Sequence, residues 1–312
     1  MQFSNPKIKF YKIRTFNEKF NVAFDFLRET WKPILKFSLY VILPICLIQS
    51  FALTAYTRTS FSLGASAYSG VDMGTLISIL INYGLYMICM VVGSCMLSAL
   101  VYTLMQEYER RETRLMEITI ADFKEPLIRN FWKMVKASLF FGGITLLVML
   151  LIGVLAYLSL WTFAITLPLL IIGLIVIMIP IAFFTPLYIF EDIPFFDALR
   201  KSFKYGFSAW GETFVVMLVF GFLGGIISSI TMMPWYIMVF IKGIFTMANE
   251  GNNITSSWLY DFIVYLLGIV QSYGTYIASI MGVVGVAFQY FHTRETKEGV
   301  SVNESIANFD QL

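Results

Sequence analysis

The chain has 312 residues, of which 58% are hydrophobic, 17% aromatic and only 13% charged, and its mean hydropathy is +0.75. Soluble domains carry roughly 25% charged residues. A chain with about half that fraction has too little polar surface to cover a water-exposed globule. The composition therefore excludes a soluble domain and predicts an integral membrane protein. The net charge of +2 is small, so the positions of the charges are more informative than their sum.

Five stretches of the chain contain no Asp, Glu, Lys or Arg. They cover residues 37–57, 73–106, 137–190, 213–241 and 262–293. A transmembrane helix needs about 20 apolar residues, so four stretches hold one span each. The longest would form a helix of roughly 80 Å, far beyond a ~30 Å hydrocarbon core. We predict two helices there, joined by a turn near Ser159–Thr162. The six predicted spans cover about residues 35–57, 76–105, 135–158, 163–190, 212–241 and 260–291.

Lysine and arginine residues are distributed very unevenly between the two sides that six spans create. Eight precede residue 37, seven lie between residues 106 and 137, three between 191 and 212, and two follow His292. Only Arg58 and Lys242 lie on the other side. Because positive residues are retained on the cytoplasmic side, this bias of 20 to 2 predicts that both termini are cytoplasmic, with a short tail over residues 293–312. Five spans would give a weaker bias of 16 to 6.

Three amphipathic segments, about residues 15–32, 119–133 and 194–210, each precede a pair of predicted spans. In each segment apolar residues recur at helical spacing and polar residues occupy the other face. Thr15 with Glu18, and Thr119 with Asp122, have the spacing of capping boxes. Pro194 suits the first turn of the third segment. The sequence therefore predicts an all-α polytopic membrane protein with six transmembrane helices in three hairpins, each hairpin preceded by an amphipathic interfacial elbow helix.

Basic and aromatic residues of these segments are the candidate binding residues. An interfacial helix places its aromatic face at the acyl boundary and its basic edge at anionic headgroups. Each Lys or Arg near such a surface contributes about 1 kcal/mol. We expect anionic lipid headgroups, or a membrane or cytoplasmic protein, as the partner; the alternative is that the segments only anchor the spans. The candidate residues are Lys32, Lys36, Arg129, Lys133, Lys136, Arg200, Lys201, Lys204, Trp31, Trp132 and Trp210.

Residues suited to catalysis, metal coordination or nucleotide binding are scarce. His292 is the only histidine, which excludes a site with two histidine ligands. The three cysteines lie in apolar stretches without paired spacing. The sequence contains no Walker A motif, HExxH or GxSxG. We predict no catalytic residues, no metal, no cofactor and no nucleic-acid partner.

Two other functions remain open. An enzyme would need the carboxylates of Glu191, Asp192 and Asp197 to converge, whereas their simpler role is to end one helix and begin the next. A transporter or flippase for a lipid or other amphiphile is suggested by the proline-rich fourth span and by Asn82 and Gln271 at depth. No charged residue lies within the cores of the predicted spans, which argues against an ion-coupled pump.

One segment resembles a known group of proteins. Residues 188–219, YIFEDIPFFDALRKSFKYGFSAWGETFVVMLV, resemble the signature of the bacterial glycerophosphoryl diester phosphodiesterase membrane-domain group and its six-span relatives. That signature has an acidic residue at the end of a span, an Ala-Leu-Arg-x-Ser-like amphipathic helix, an aromatic residue and the next span. Glu191, residues 198–202 and Trp210 occupy these positions. We expect no phosphodiesterase catalytic domain, which sometimes follows in that group, so the resemblance implies a membrane module and not an enzyme.

The N-terminal segment FNVAFDFLRETWKPILKFSLYVILP is similar to predicted inner-membrane proteins of the Bacteroidetes. This similarity implies a bacterial inner-membrane location. Together with the three elbow segments and the charge bias, it leads to one main hypothesis. The chain is expected to be a non-catalytic scaffold or accessory subunit whose cytoplasmic interfacial helices organise lipids or a partner protein.

Overall fold

The computed structural model describes residues 6–65, 72–158, 160–247 and 257–302. Within these ranges the chain forms helices and no strands. The helices are α1 (Phe16–Ala65), α2 (Met73–Arg110), α3 (Ile120–Leu158), α4 (Leu160–Phe190), α5 (Phe195–Ser208), α6 (Trp210–Met247) and α7 (Trp258–Glu298).

Six of these helices, all except α5, are long and apolar enough to cross a membrane. The prediction of an all-α polytopic membrane protein with six transmembrane helices is therefore confirmed. The break inside the longest apolar stretch is also confirmed, because α3 ends at Leu158 and α4 begins at Leu160. Of the predicted turn, Ser159 lies outside the described residues and the residues from Leu160 onward are helical.

The side chains along the apolar part of α3 are largely exposed. Leu139 is 72% exposed, and Leu146 and Leu150 are each 67% exposed. Side chains of this size are not left in water when a membrane can cover them, since burying a leucine is worth about 1.5–3 kcal/mol. Lipid therefore supplies the apolar surroundings of this helix.

Two elbow segments differ from their predicted form. The first and second predicted elbow helices are continuous with the spans that follow, within α1 and α3. Lysine and tryptophan mark where a chain meets a membrane surface, but both are compatible with a helix and do not end one. The third segment is a separate helix, α5. It is set off by the non-helical residues before Pro194, by a φ of +51° at Asp192 and by a φ of −121° at Ala209.

The predicted helix starts are confirmed by their hydrogen bonds. The backbone N–H of Thr15 donates to the Glu18 carboxylate at 2.8 Å, and that of Thr119 donates to Asp122 at 2.8 Å. The C-terminal helix is longer than predicted: α7 continues to Glu298 and stops at Gly299, whose φ of +58° suits glycine. The start of the predicted tail is thus helical, and residues 303–312 lie outside the described residues.

The chain divides into two compact units. The charged unit comprises Met1–Ile34, Ser98–Phe220 and Met281–Leu312, and contains all but three of the 22 Lys and Arg residues. Its core includes a cluster of aromatic rings. The ring of Phe10 packs against Tyr108 (5.8 Å between centroids), Phe288 (5.5 Å) and Phe291 (4.9 Å).

The apolar unit comprises Leu35–Leu97 and Gly221–Ile280. Its helices pack through an apolar cluster, and a few polar side chains link them. The hydroxyl of Tyr276 donates to the Gln49 side chain at 2.7 Å, and the hydroxyl of Ser50 donates to the Tyr265 carbonyl at 2.6 Å. Such bonds satisfy polar groups that lipid cannot hydrate. The buried members of the apolar cluster are Leu53, Trp235, Tyr260 and Val264.

Within the charged unit, α5 packs closely on α4. The buried face of α5 is made of Ala198, Ser202, Tyr205 and Gly206. A Cβ atom at Gly206 would lie 2.3 Å from the Cα atom of Pro180, so the contact requires glycine. Small side chains therefore set how closely the two helices approach.

We predict that Gly206→Ala destabilises the protein, because the new methyl group can be accommodated only by a shift of the α4 backbone. Overpacking of this kind costs about 1–3 kcal/mol. Gly211→Ala is the matched control, since nothing lies within 4 Å of a Cβ atom there. Thermal unfolding in mild detergent measures the difference. Equal midpoints for the two variants would show that the α4–α5 contact is looser than described.

Candidate functional site

The structure separates the predicted binding residues into two sets. Eight are exposed, and the other three are partly buried and engaged by neighbouring groups. The partly buried residues are Lys133, Lys201 and Trp210. The exposed residues are Lys32, Lys36, Arg129, Lys136, Arg200, Lys204, Trp31 and Trp132.

Lys201 belongs to an internal ion-pair network in the charged unit. Its Nζ atom lies 2.5 Å from the Glu191 carboxylate and 2.7 Å from that of Glu298. The Arg294 guanidinium lies 3.4 Å from Glu191 and 2.9 Å from Glu298. Two cations and two carboxylates thus neutralise one another. Because the side chain of Glu191 is only 6% exposed, its charge depends on these partners.

Tyrosines complete this network. The Tyr290 hydroxyl donates to Glu191 at 2.8 Å, and the Tyr205 hydroxyl donates to Glu298. The Arg294 guanidinium also donates to the Tyr11 hydroxyl at 3.0 Å. Burial raises the pKa of Tyr11 to about 12, although Arg294 opposes the shift. Burial, and then the hydrogen bond to Glu298, raises the pKa of Tyr205. The Tyr205 and Tyr290 hydroxyls thus hold the two carboxylates as donors, and the protonated Tyr11 hydroxyl accepts from Arg294.

Lys133 and Trp210 are also used internally. Lys133 forms an ion pair with Asp192 and donates to the Tyr188 carbonyl at 3.2 Å. The hydrogen bond from Lys133 lowers the pKa of Asp192, so this pair persists at neutral pH. The indole N–H of Trp210 donates to the Val176 carbonyl at 3.2 Å. These contacts connect α3 and α6 to α4 and to the turn after it.

The three carboxylates considered for an enzyme do not converge on one point. Glu191 pairs with Lys201 and Arg294, Asp192 pairs with Lys133, and Asp197 is exposed on α5. Among the described residues there is no group of three or more His, Cys, Asp or Glu side chains that could hold a metal ion. The geometry therefore gives these carboxylates positions in separate ion pairs or in solvent.

The exposed surface of α5 combines aromatic and basic side chains. Phe196 is 64% exposed and Phe207 is 52% exposed, and Arg200 and Lys204 are also exposed. At about 100° per residue, Phe196, Arg200 and Phe207 fall within about 40° of one another around the helix, and Lys204 lies about 40° further. We call these four residues the α5 surface. Neither Arg200 nor Lys204 forms an ion pair with any described residue.

Position around the helix explains the different roles of neighbouring cations. Lys201 follows Arg200 in the sequence but lies about 100° away, at the edge of the buried face. Both residues are basic, so residue type alone does not distinguish them. The partners Arg294 and Glu298 lie beyond residue 291, the predicted end of the last span. The i,i+4 spacing of these two opposite charges is typical of a continuing helix and could have shown the extension.

A second internal pair was also missed. The side chain of Lys19 is only 4% exposed and lies 2.5 Å from the Glu212 carboxylate. Lys19 falls on the same helical face as the buried residues Ala23, Phe26 and Thr30. A lysine on an otherwise buried face is a sequence signal for an internal ion pair.

No family model, no curated protein and no solved structure matches the chain.

We predict that Lys201→Gln lowers the free energy of unfolding by about 1–3 kcal/mol, because Glu191 and Glu298 lose a shared cation. Lys204→Gln removes the same charge from the exposed side of the same helix and should change stability by less than about 0.5 kcal/mol. Thermal unfolding in mild detergent compares the two variants. If both variants unfold with the wild type, the network does not stabilise the charged unit.

Proposed function

We propose that the protein is a non-catalytic membrane protein that binds anionic lipid headgroups through the α5 surface. The observation that carries the proposal is that one arc of α5 combines exposed Phe196 and Phe207 with exposed Arg200 and Lys204. Neither cation forms an ion pair with a residue that the structure describes. Aromatic side chains suit the acyl boundary, and cations suit the phosphate layer.

The other exposed candidates extend this proposal. Trp31 with Lys32, and Trp132 with Arg129 and Lys136, repeat the pairing of an exposed aromatic residue with exposed cations. Tryptophan is enriched at the headgroup level. We infer that these groups lie at the same membrane face as the α5 surface. A scaffold or accessory role follows if a partner protein uses lipids bound there.

We infer the orientation from the charge bias. Nearly all lysines and arginines precede the first, third and fifth spans or follow the sixth, which supports a cytoplasmic position for both termini. We propose a bacterial inner membrane as the location. Anionic lipid is the expected counterpart of such a surface. The resemblance of residues 188–219 to a phosphodiesterase-associated membrane module fits the same proposal, because that segment contains α5.

We predict that Arg200→Gln/Lys204→Gln weakens binding of phosphatidylglycerol by roughly 30-fold, since two cations contribute about 2 kcal/mol. Native mass spectrometry of the detergent-solubilised protein, titrated with phosphatidylglycerol and separately with phosphatidylcholine, measures the effect. Binding of the zwitterionic lipid should not change.

Lys201→Gln is the matched control for this experiment. It removes one positive charge from the same helix but from the internal network, so phosphatidylglycerol binding should be retained while stability falls. A folded Arg200→Gln/Lys204→Gln variant with wild-type affinity for phosphatidylglycerol would refute the lipid proposal.

Transport of an amphiphile is a second candidate function, favoured by unpartnered polar atoms in the apolar unit. The side-chain carbonyl of Gln271, the indole N–H of Trp235 and the hydroxyl of Ser272 are buried and have no hydrogen-bond partner within the described part of the chain. Each such group costs about 1–3 kcal/mol, which a polar group of a substrate would offset. Asn82 contributes less to this argument, because its amide donates to the Ser78 carbonyl of its own helix.

We predict for the transport function that purified protein moves a short-chain fluorescent lipid across proteoliposome membranes, and that Gln271→Met slows this movement severalfold. Wild-type protein that moves lipid no faster than empty vesicles would refute transport. If Gln271 serves packing alone, Gln271→Met moves lipid as fast as the wild type and is neutral or stabilising in thermal unfolding.

A further inference from the structure

Residues 6–14, which precede α1, form a non-helical segment that is contacted by side chains of α2 and α7. We call this segment the strap. Phe10 is only 2% exposed within the aromatic cluster of the charged unit. The Ile8 N–H donates to the Tyr108 hydroxyl at 3.2 Å, and the Arg14 N–H donates to Nδ1 of His292 at 3.1 Å. These contacts hold the backbone of the strap in one position.

A cavity of about 1260 Å³ is lined by the strap and α1, and we call it the strap groove. Its volume exceeds the range of about 300–1,000 Å³ that is usual for small-molecule sites. Lys9 and Lys12 of the strap and Arg28 of α1 line it, and all three are exposed. Cations thus approach the groove from two separate walls.

The lining of the strap groove has an excess of two positive charges. Four carboxylates, those of Glu18, Asp25, Glu29 and Glu295, line it. The six lining cations are Lys7, Lys9, Lys12, Arg14, Arg28 and Arg114.

Most of these charged groups already have a partner. Glu29 accepts from Arg114 at 2.6 Å, and Glu295 accepts from the Ser301 N–H at 3.0 Å. The Arg14 guanidinium donates to the Phe10 carbonyl at 2.9 Å, and Lys7 donates to the Glu109 carbonyl at 2.6 Å. Glu18 accepts from the Thr15 N–H.

The charged groups that remain without a hydrogen bond or ion pair among the described residues are Lys9, Lys12, Arg28 and Asp25. Three cations and one carboxylate of the lining therefore have no hydrogen bond or ion pair among the described residues. The pKa of the Glu18 carboxyl is lowered by the hydrogen bond from Thr15, and Lys12 lies near enough to help lower it.

Arg114 also lines the strap groove and forms an ion pair with Glu29 there. Its φ is +58°, a conformation that is uncommon for residues other than glycine, and it is only 6% exposed. Backbone strain of this kind persists where the surrounding contacts hold it, and it concentrates at functional sites. Here the strained residue neutralises Glu29, so that carboxylate does not compete for Arg28.

We propose that the strap groove binds a phosphorylated ligand, with Lys9 and Lys12 on one wall and Arg28 on the other donating to phosphoryl oxygens. A phosphate monoester carries about −1.5 to −2 charges at neutral pH and three acceptor oxygens, which matches the excess of two positive charges. A carboxylate offers one charge and two oxygens and would leave part of the groove unneutralised. Arginine adds bidentate recognition of phosphate, and lysine adds a point charge.

The first test uses the full-length protein in mild non-ionic detergent and inorganic pyrophosphate as a soluble probe. We expect isothermal titration calorimetry to detect binding, and Lys9→Gln/Arg28→Gln to weaken it by roughly 100-fold, about tenfold for each cation. Lys124→Gln is the matched control, because Lys124 is an exposed lysine that does not line the groove. Arg200→Gln/Lys204→Gln should also bind pyrophosphate normally, which separates this proposal from the lipid proposal.

A second arm distinguishes the source of the phosphoryl group. Phosphatidic acid replaces pyrophosphate and is followed by native mass spectrometry. Binding of either probe that requires Lys9 and Arg28 supports the proposal that the strap groove binds phosphoryl groups. Binding of pyrophosphate indicates a soluble ligand, and binding of phosphatidic acid alone indicates a lipid headgroup.

A gain-of-binding variant completes the design in case the double variant does not fold. Asp25→Asn removes the one free carboxylate and should tighten binding severalfold. The proposal is overturned if neither probe binds the wild type, or if Lys9→Gln/Arg28→Gln and Asp25→Asn both bind like the wild type.

Discussion

The charged unit depends on neutralisation of the Glu191 carboxylate. This group follows the last residue of α4 and is almost fully shielded from solvent, so its charge must be balanced from within. The cations Lys201 on α5 and Arg294 on α7 balance it, and the Tyr290 hydroxyl of α7 donates a hydrogen bond to it. This carboxylate therefore links the short helix α5 to the C-terminal end of α7.

Lys201 is held in internal ion pairs, so it does not contribute to the exposed surface of α5. The helix has a face of small residues against α4, an edge in the ion-pair network, and an arc that carries Phe196, Arg200, Lys204 and Phe207. The same division applies to Lys133, which is bound to Asp192, and to its neighbour Trp132, which is exposed. Cations held in internal ion pairs and exposed cations thus lie only one or a few residues apart in the sequence.

Much of the fold follows from properties that are local in the sequence. Apolar length, charge-free stretches and the capping residues Thr15 and Thr119 were sufficient to predict six spans and two helix starts. The continuity of α1 and α3 was not predicted, because charge marks a membrane surface without ending a helix. The roles of the cations were not predicted either. Whether a lysine is internal depends on a carboxylate distant in the chain, such as Glu298 for Lys201.

The central claim is that internal ion pairs divide the basic residues into a structural set and a lipid-facing set. Lysine acetylation of the folded protein, quantified residue by residue by mass spectrometry in neutral and in anionic nanodiscs, tests it directly. The account predicts slow modification of Lys19, Lys133 and Lys201 in both, and fast modification of Lys204 in neutral nanodiscs that becomes slow in anionic ones. Equal reactivity of Lys201 and Lys204 in neutral nanodiscs, or no protection of Lys204 by anionic lipid, would contradict it.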